Sequence, residues 1–327
     1  MDIKNLSRPL CNIHTISIVS EKEIVLPPEL GNSWVEVYHR KNTKKDQHRY
    51  IAKINTHKWR DELTFSYRRF LSDMFEIEQS MNIKDCSLSR VDFAFNFLED
   101  NYNELHKLNK CLCLLIGLSH NLMNRYESID PLTLDKLTVR VQSQYLECEN
   151  YNKSIQSNHW SPIPNRLELR SKAILKANKD IPALANDWCK RLDNAVSNYK
   201  PLQTLCNEVL IKKWHAEKGE AVKTLSEFLR KYQYNVFNAD QLEEFFCSIG
   251  KKPKASAKSF KRNNSIEFFD ENDLRCYVEI LKEAVENYFS DGVNRAILAP
   301  KNKIQADEKE LITWSFCDAP KSAYALI

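Results

Sequence analysis

Glycine is scarce in this chain: 327 residues contain five, at Gly31, Gly117, Gly219, Gly250 and Gly292, with no two close together. Walker loops and dinucleotide-binding turns need clustered glycines to bring backbone N–H groups onto phosphate, so neither can be written here. Any phosphate the chain handles must be held by side chains and metal. Ten cysteines are present but no Cys-x-x-Cys. The one close pair, Cys111 and Cys113, falls in a helical pattern, where residues two apart point in different directions and grip one ion poorly. Buried thiols in a reducing compartment are the expectation. Long apolar runs are missing too. The longest, Cys111 to Leu118, is far below the ~18 residues that span a bilayer. The opening MDIKNLSRPL lacks the apolar region of a signal peptide. A cytoplasmic protein with no membrane partner is expected.

Charge of one sign is also lacking. Lys and Arg total 48 against 44 Asp and Glu, a formal +4 with a pI near 8.4, which singles out no partner. The hydrophobic fraction of 43% suffices for real cores, and the mean hydropathy of −0.53 is that of a soluble chain. The length suggests two domains.

The first half reads as mixed strand and helix. Short β-rich runs lie at His14–Val19, Trp34–Tyr38, Tyr50–Asn55 and Leu63–Tyr67. Arg90–Phe97 alternates strictly, with Val91, Phe93, Phe95 and Phe97 on one face and Arg90, Asp92, Ala94 and Asn96 on the other. A helical stripe follows from Tyr102 through Leu105, Leu108, Leu112, Leu115 and Ile116. Two further strands are placed around Thr138–Asn152 and Arg166–Arg170. After about residue 175 the pattern is helical throughout. Stripes run over Leu184–Tyr199, Leu202–Trp214, Val222–Tyr232 and Leu274–Tyr288, with a short helix over Ala239–Cys247 that Gly250 would terminate. The expected fold is α+β: an antiparallel-sheet domain with flanking helices over residues 1–175, then a mostly helical domain over 176–327.

Between the last two helices, Lys251, Lys252, Lys254, Lys258, Lys261 and Arg262 put six positive charges within twelve positions. Such density binds phosphate backbones by counterion release. The segment 251–262 is expected as a basic loop contacting DNA, in the place of the wing of a winged helix-turn-helix, although no recognition-helix signature accompanies it.

Three strands segregate polar from apolar residues. One face of SRVDFAFNF carries Arg90, Asp92 and Asn96; YLECENYNK groups Tyr145, Glu147, Glu149, Tyr151 and Lys153; NRLELR groups Arg166, Glu168 and Arg170. If the strands are neighbours, carboxylates, cations and a tyrosine share one surface. That set suits metal-assisted phosphoryl transfer. Carboxylate oxygens hold Mg²⁺ or Mn²⁺. A tyrosine hydroxyl needs a cation's help to become a nucleophile, and Lys153 and the arginines can offset transition-state charge. The ordinary alternative is a sheet whose solvent face carries alternating charge.

The order RVDFAF, YNKSIQ, then NRLELRSKAIL, over residues 87–176, resembles rolling-circle replication initiators of the Rep_trans plasmid type and the gene II/X type of filamentous phages. Those families have an Arg-x-Asp strand, a Tyr-x-Lys segment and an Arg-φ-Glu-φ-Arg strand, φ being apolar. The resemblance implies a metal-dependent nickase that links a DNA 5′-phosphate to Tyr151, assisted by Lys153. Asp92 and Glu168 would be its metal ligands, and Arg90, Arg166 and Arg170 would contact DNA. Origin DNA would be the substrate, with a host helicase and polymerase as partners and a homodimer as the assembly. Tyr145 competes for the nucleophile role. Asn96 stands where relatives often carry a second acid, and the absence of a His-hydrophobic-His motif sets the chain apart from the large HUH group. A non-catalytic DNA-binding initiator and an unrelated α+β protein with charged strand faces are the alternatives. The His57–Arg60 box of tyrosine recombinases lies too early, among strands, and is read as chance.

Overall fold

The computed structural model describes residues 3, 6–26, 34–42, 47–56, 66–81, 86–98, 102–119, 138–153, 163, 165–172, 180–232, 235–264 and 268–290. The His57–Arg60 box and the tail 301–327 lie outside them. Seven strands, β1 (Leu10–Ser20), β2 (Val35–Asn42), β3 (Gln47–Asn55), β4 (Ser87–Phe97), β5 (Thr138–Gln142), β6 (Leu146–Tyr151) and β7 (Asn165–Lys172), form one sheet. Its order is β2-β3-β1-β4-β7-β6-β5 and every pairing is antiparallel. The helices are α1 (Tyr67–Met81), α2 (Tyr102–Ser119), α3 (Ile181–Val196), α4 (Tyr199–Glu217), α5 (Leu225–Tyr232), α6 (Ala239–Ser248), α7 (Pro253–Asn264) and α8 (Glu271–Phe289). The architecture is α+β, as the periodicities require.

Alternation on β4 buries Val91, Phe93, Phe95 and Phe97 on the apolar side of the sheet. Phe97 lies 6.2 Å from the ring of Tyr277, and Phe93 lies 6.5 Å from Phe289, both on α8. Each such phenylalanine contributes about 1.5–3 kcal/mol by leaving water. Helix α8 starts in a capping box, with Asp270 accepting from the Asp273 amide and Asp273 accepting from the Asp270 amide. Helix α3 starts where Asp180 accepts from the Ala183 amide, with Pro182 in its first turn.

Hydrophobic packing does not divide at residue 175. One cluster joins the sheet to α1, α2, α3, the start of α4 and α8, and the Trp188 indole on α3 donates to Ser171 on β7 at 2.9 Å. A second cluster joins the end of α4 to α5, α6 and α7 through Leu210, Trp214, Phe228, Phe245 and Phe260. The core thus separates within α4.

Three local expectations change. Tyr67 opens α1 instead of closing a strand; Phe70, Met74, Ile77 and Met81 recur at helical spacing and are buried. The stretch 138–152 is two strands, not one, because Ser143 turns the chain: its hydroxyl accepts from the amides of Tyr145 and Leu146. The basic segment is a helix. Residues 253–264 form α7, which buries Ala257 and Phe260 against the second cluster, so no loop or wing spans them. Gly250 sits at φ +74° between α6 and α7, a conformation that costs other residues steric strain, and it does end α6. No helix among the described residues is long and apolar enough to cross a membrane.

Candidate active site

Strand order alone brings the three polar faces together. β4 pairs with β7 and β7 with β6, so Asp92 lies opposite Arg170, Asn96 opposite Arg166, Glu147 opposite Arg170, Glu149 opposite Glu168 and Tyr151 opposite Arg166. Directly opposed residues share a face. This face is not a solvated one. Asp92, Glu168 and Arg166 are each 1% exposed, which excludes a surface of ordinary alternating charge.

β1 adds a residue that the strand motifs did not single out. Its pairing with β4 slips between Ile13 and Thr15, which makes His14 the extra residue of a bulge. Such bulges re-aim side chains, and here both His14 and Thr15 line the polar pocket. The signal is present in the sequence: buried isoleucines run 13, 16, 18, a step of three where a regular strand gives two. His14 Nδ1 is 3.6 Å from Glu168 Oε1, and the Thr15 hydroxyl is 2.9 Å from the same nitrogen.

Ion pairs knit the face together. Arg90 donates from Nε and Nη2 to the two oxygens of Asp92 at 2.7 and 2.6 Å. Arg170 donates to Glu168 from Nε at 2.9 Å and Nη2 at 2.5 Å, pairs with Glu147 and Glu149, and lies 3.6 Å from Asp92. Arg166 donates to Asn96 at 2.8 Å and stands 3.7 Å from Glu168. Arg140 on β5 donates to Glu149 at 2.7 Å. The Tyr151 hydroxyl donates to Glu168, and Lys153 Nζ lies 6.0 Å from the tyrosine ring.

Opposite pKa shifts follow from this packing. Burial would raise the Glu168 carboxyl, but His14, Arg170 and Arg166 outweigh it and hold Glu168 well below the usual carboxylate range. Burial pushes Asp92 up to about 6, with Arg90 opposing. Burial, then the Glu168 charge, keeps the Tyr151 hydroxyl well above its ordinary value.

Tyr151, Lys153, Asp92, Glu168, Arg90 and Arg170 therefore border one pocket of about 190 Å³, with His14 and Thr15. That volume is below the ~300–1,000 Å³ of sites that enclose small molecules; it suits an ion and a phosphate. Arg166 is buried among Asn96 and Glu168, out of reach of a ligand in solvent. Tyr145 is 45% exposed at the β5–β6 turn, six residues or about 20 Å along the strand from Tyr151, and does not line the pocket. Glu147 and Glu149, which belong to the polar face but had no assigned role, serve as counter-charges for Arg170. Lys251, Lys252, Lys254, Lys258, Lys261 and Arg262 lie elsewhere, exposed on α7 and the turn before it; Lys261 stands 5.5 Å over the Phe268 ring.

The donor set for a metal is His14, Asp92 and Glu168, whose ligand atoms lie within 4.8 Å of one another. Two carboxylates and one imidazole suit Mn²⁺ and tolerate Mg²⁺. Although Arg90, Arg170 and Tyr151 already touch these carboxylates, each carboxylate has about four lone-pair sites, so the residues fit a divalent ion.

No protein-family model matches the chain, and no curated protein matches it. Among solved structures, a rolling circle replication initiator protein from Geobacillus stearothermophilus overlaps 50% of this chain and 74% of its own, with 9% identity and a TM-score of 0.24. An overlap at that level says nothing about activity; the pocket must speak for itself.

Proposed function

We propose that the chain initiates rolling-circle DNA replication by nicking and rejoining one DNA strand, with Tyr151 as nucleophile. The observation that carries this reading is the Tyr151 hydroxyl donating to Glu168 inside the pocket that also holds His14, Asp92 and Lys153. In the forward step the Tyr151 oxygen bonds to a backbone phosphorus while the bond from phosphorus to the 3′ oxygen breaks. The product is a 5′-phosphotyrosine and a free 3′-OH, and rejoining reverses it. Glu168, held ionised by His14, Arg170 and Arg166, orients the hydroxyl through their hydrogen bond. The tyrosine proton leaves to solvent water as the bond to phosphorus forms, and the departing 3′ oxygen takes up a proton from water. Burial and Glu168 keep the resting hydroxyl protonated while Arg166 opposes them, so attack requires positive charge beside the oxygen. Arg166 supplies it from within the sheet, Lys153 from the pocket wall, and Arg170 offsets charge on the phosphate. His14, Asp92 and Glu168 would hold a Mg²⁺ or Mn²⁺ ion, which when bound polarises a phosphoryl oxygen as a Lewis acid. On this reading α7 and the turn before it grip duplex DNA through Lys251, Lys252, Lys254, Lys258, Lys261 and Arg262, apart from the nicking pocket.

A second reading is a DNA-binding initiator without covalent chemistry. It is favoured by one observation, that Tyr151 is only 3% exposed. Supercoiled DNA containing the gene and its flanks, incubated with the protein and Mn²⁺ or Mg²⁺, separates the two. The nickase reading expects open circles and a protein–DNA adduct that survives denaturation, both lost in Tyr151→Phe. Wild-type binding with no open circles would establish the second reading. Loss of the adduct in Tyr145→Phe alone would move the nucleophile.

A further inference from the structure

The β2–β3 hairpin extends the pocket face beyond the pocket. Register places Glu36 opposite Lys53, Tyr38 opposite Ile51 and Arg40 opposite Arg49, so these pairs share one face. Glu36, Lys53 and Asn55 line the pocket, which fixes that face as the polar one. The other face is Val35, Ala52 and Ile54, buried in the core, with His39 stacked on Tyr50 at 4.8 Å. Along the polar face the charge changes character. Next to the pocket, Lys53 is paired with Glu36 at 3.1 Å, and Tyr38, 46% exposed, donates to Glu36. One step further out, Arg40 and Arg49 oppose each other directly, and neither has an acidic partner among the described residues. Two like charges at one cross-strand position destabilise a free hairpin. A polyanion lying across them removes that cost.

We infer that this ribbon is the track for single-stranded DNA leading into the pocket: Arg40 and Arg49 hold backbone phosphates, and a base stacks on Tyr38. The inference rests on the nickase reading for the identity of the strand. Tyr38 to Arg40 and Arg49 is one repeat along the face, and Arg40 lies four residues, about 13 Å, from Glu36 at the pocket wall, so a strand gripped there reaches the pocket within a few nucleotides. An aromatic platform beside paired cations is the chemistry by which proteins hold single strands without reading sequence. The surface does not suit a membrane: among the described residues of this face Ile51 is the one aliphatic side chain, and the one large aromatic, Tyr38, ends in a hydroxyl.

The test is fluorescence anisotropy of the full chain with a short labelled single strand, in EDTA, over a salt series. Arg40→Gln combined with Arg49→Gln is expected to lower the magnitude of the log–log salt slope by about 1.4, from about 0.7 per phosphate contact. Tyr38→Ala is expected to weaken binding by about tenfold. Without DNA, the double variant should melt at the same temperature as wild type or higher at low salt, which shows that its fold is intact. An unchanged affinity and slope would overturn the inference. So would an equal loss for blunt duplex of the same sequence, or binding to phosphatidylserine vesicles that the double variant loses. The two readings fail separately. A wild type that forms the covalent adduct while the double variant binds normally removes only the ribbon. Strand binding through Arg40 and Arg49 without any adduct removes only the nickase.

Discussion

On the sheet face, Arg170 touches Glu147, Glu149 and Glu168 and is largely buried; on α7, Lys254, Lys258 and Arg262 stand in solvent with no acidic partner among the described residues. The two regions are comparably charged, yet the charge has different consequences. Buried ions are costly unless paired, so the sheet face must satisfy itself before it can do chemistry, and each member holds others in place. Exposed cations cost the fold almost nothing and remain available to a partner. Positional precision belongs to the first region and adaptable attraction to the second.

Substitutions can break this contrast. The largest effect is expected from Tyr151→Phe, which should abolish the covalent DNA adduct while lowering stability by only about 1.5–3 kcal/mol, since the ring stays and the hydroxyl's bonding to charged partners is lost. Next is Arg170→Ala. Removing the shared cation strands buried carboxylates and should cost about 3–5 kcal/mol, read from urea unfolding; a loss below about 1 kcal/mol would mean that the network is solvated. On α7, Lys258→Ala should change stability by no more than about 0.5 kcal/mol. Replacing Lys254, Lys258 and Arg262 together by Gln should leave stability alone and lower the duplex salt slope by about 2.7.

A pH series sharpens the comparison from a third place. Lys107 and Lys110 on α2 are buried, Lys110 donating to Asn235 and Lys107 standing 5.0 Å over Phe268. Burial lowers their pKa values to about 7 and about 8. The folded chain releases these protons at lower pH than the unfolded chain, so the unfolded state binds more protons above pH 7. Stability should therefore rise from pH 7 to 8.5, each lysine adding up to about 1.4 kcal/mol per pH unit. Above that window the buried thiols Cys111 and Cys148, whose pKa values burial raises, pull the other way. Lys110→Met should flatten the rise; a flat wild-type profile would show that these amines are solvated.

The sequence displayed the polar faces plainly, because alternation on SRVDFAFNF, YLECENYNK and NRLELR requires no tertiary information. Their convergence was conditional on strand order, which periodicity does not encode. His14 was missed because a bulge shifts the phase of β1, and a strand read by strict alternation discards the residue that breaks it. Helix α7 reads as a loop in the sequence because, among its described residues, the buried face is Ala257 and Phe260, too narrow a stripe to stand out among lysines. The boundary expected at 175 rests on the change from alternating to helical periodicity, and periodicity does not encode that α3 and α8 return to cover the sheet.

That return has a consequence for how the chain is made. Helix α8, the last described element, packs on β1, near the chain's start, and Arg8 is joined to Glu283 at 2.8 Å. Phe93 and Phe97 stay uncovered on that side until residues 277–289 exist. During synthesis α1, α2 and α3 are made first, and the part of the sheet beneath α8 waits uncovered until residue 289 has been added. A chain shortened before Glu271 would keep every proposed catalytic residue and lose the surface that holds their strands in place.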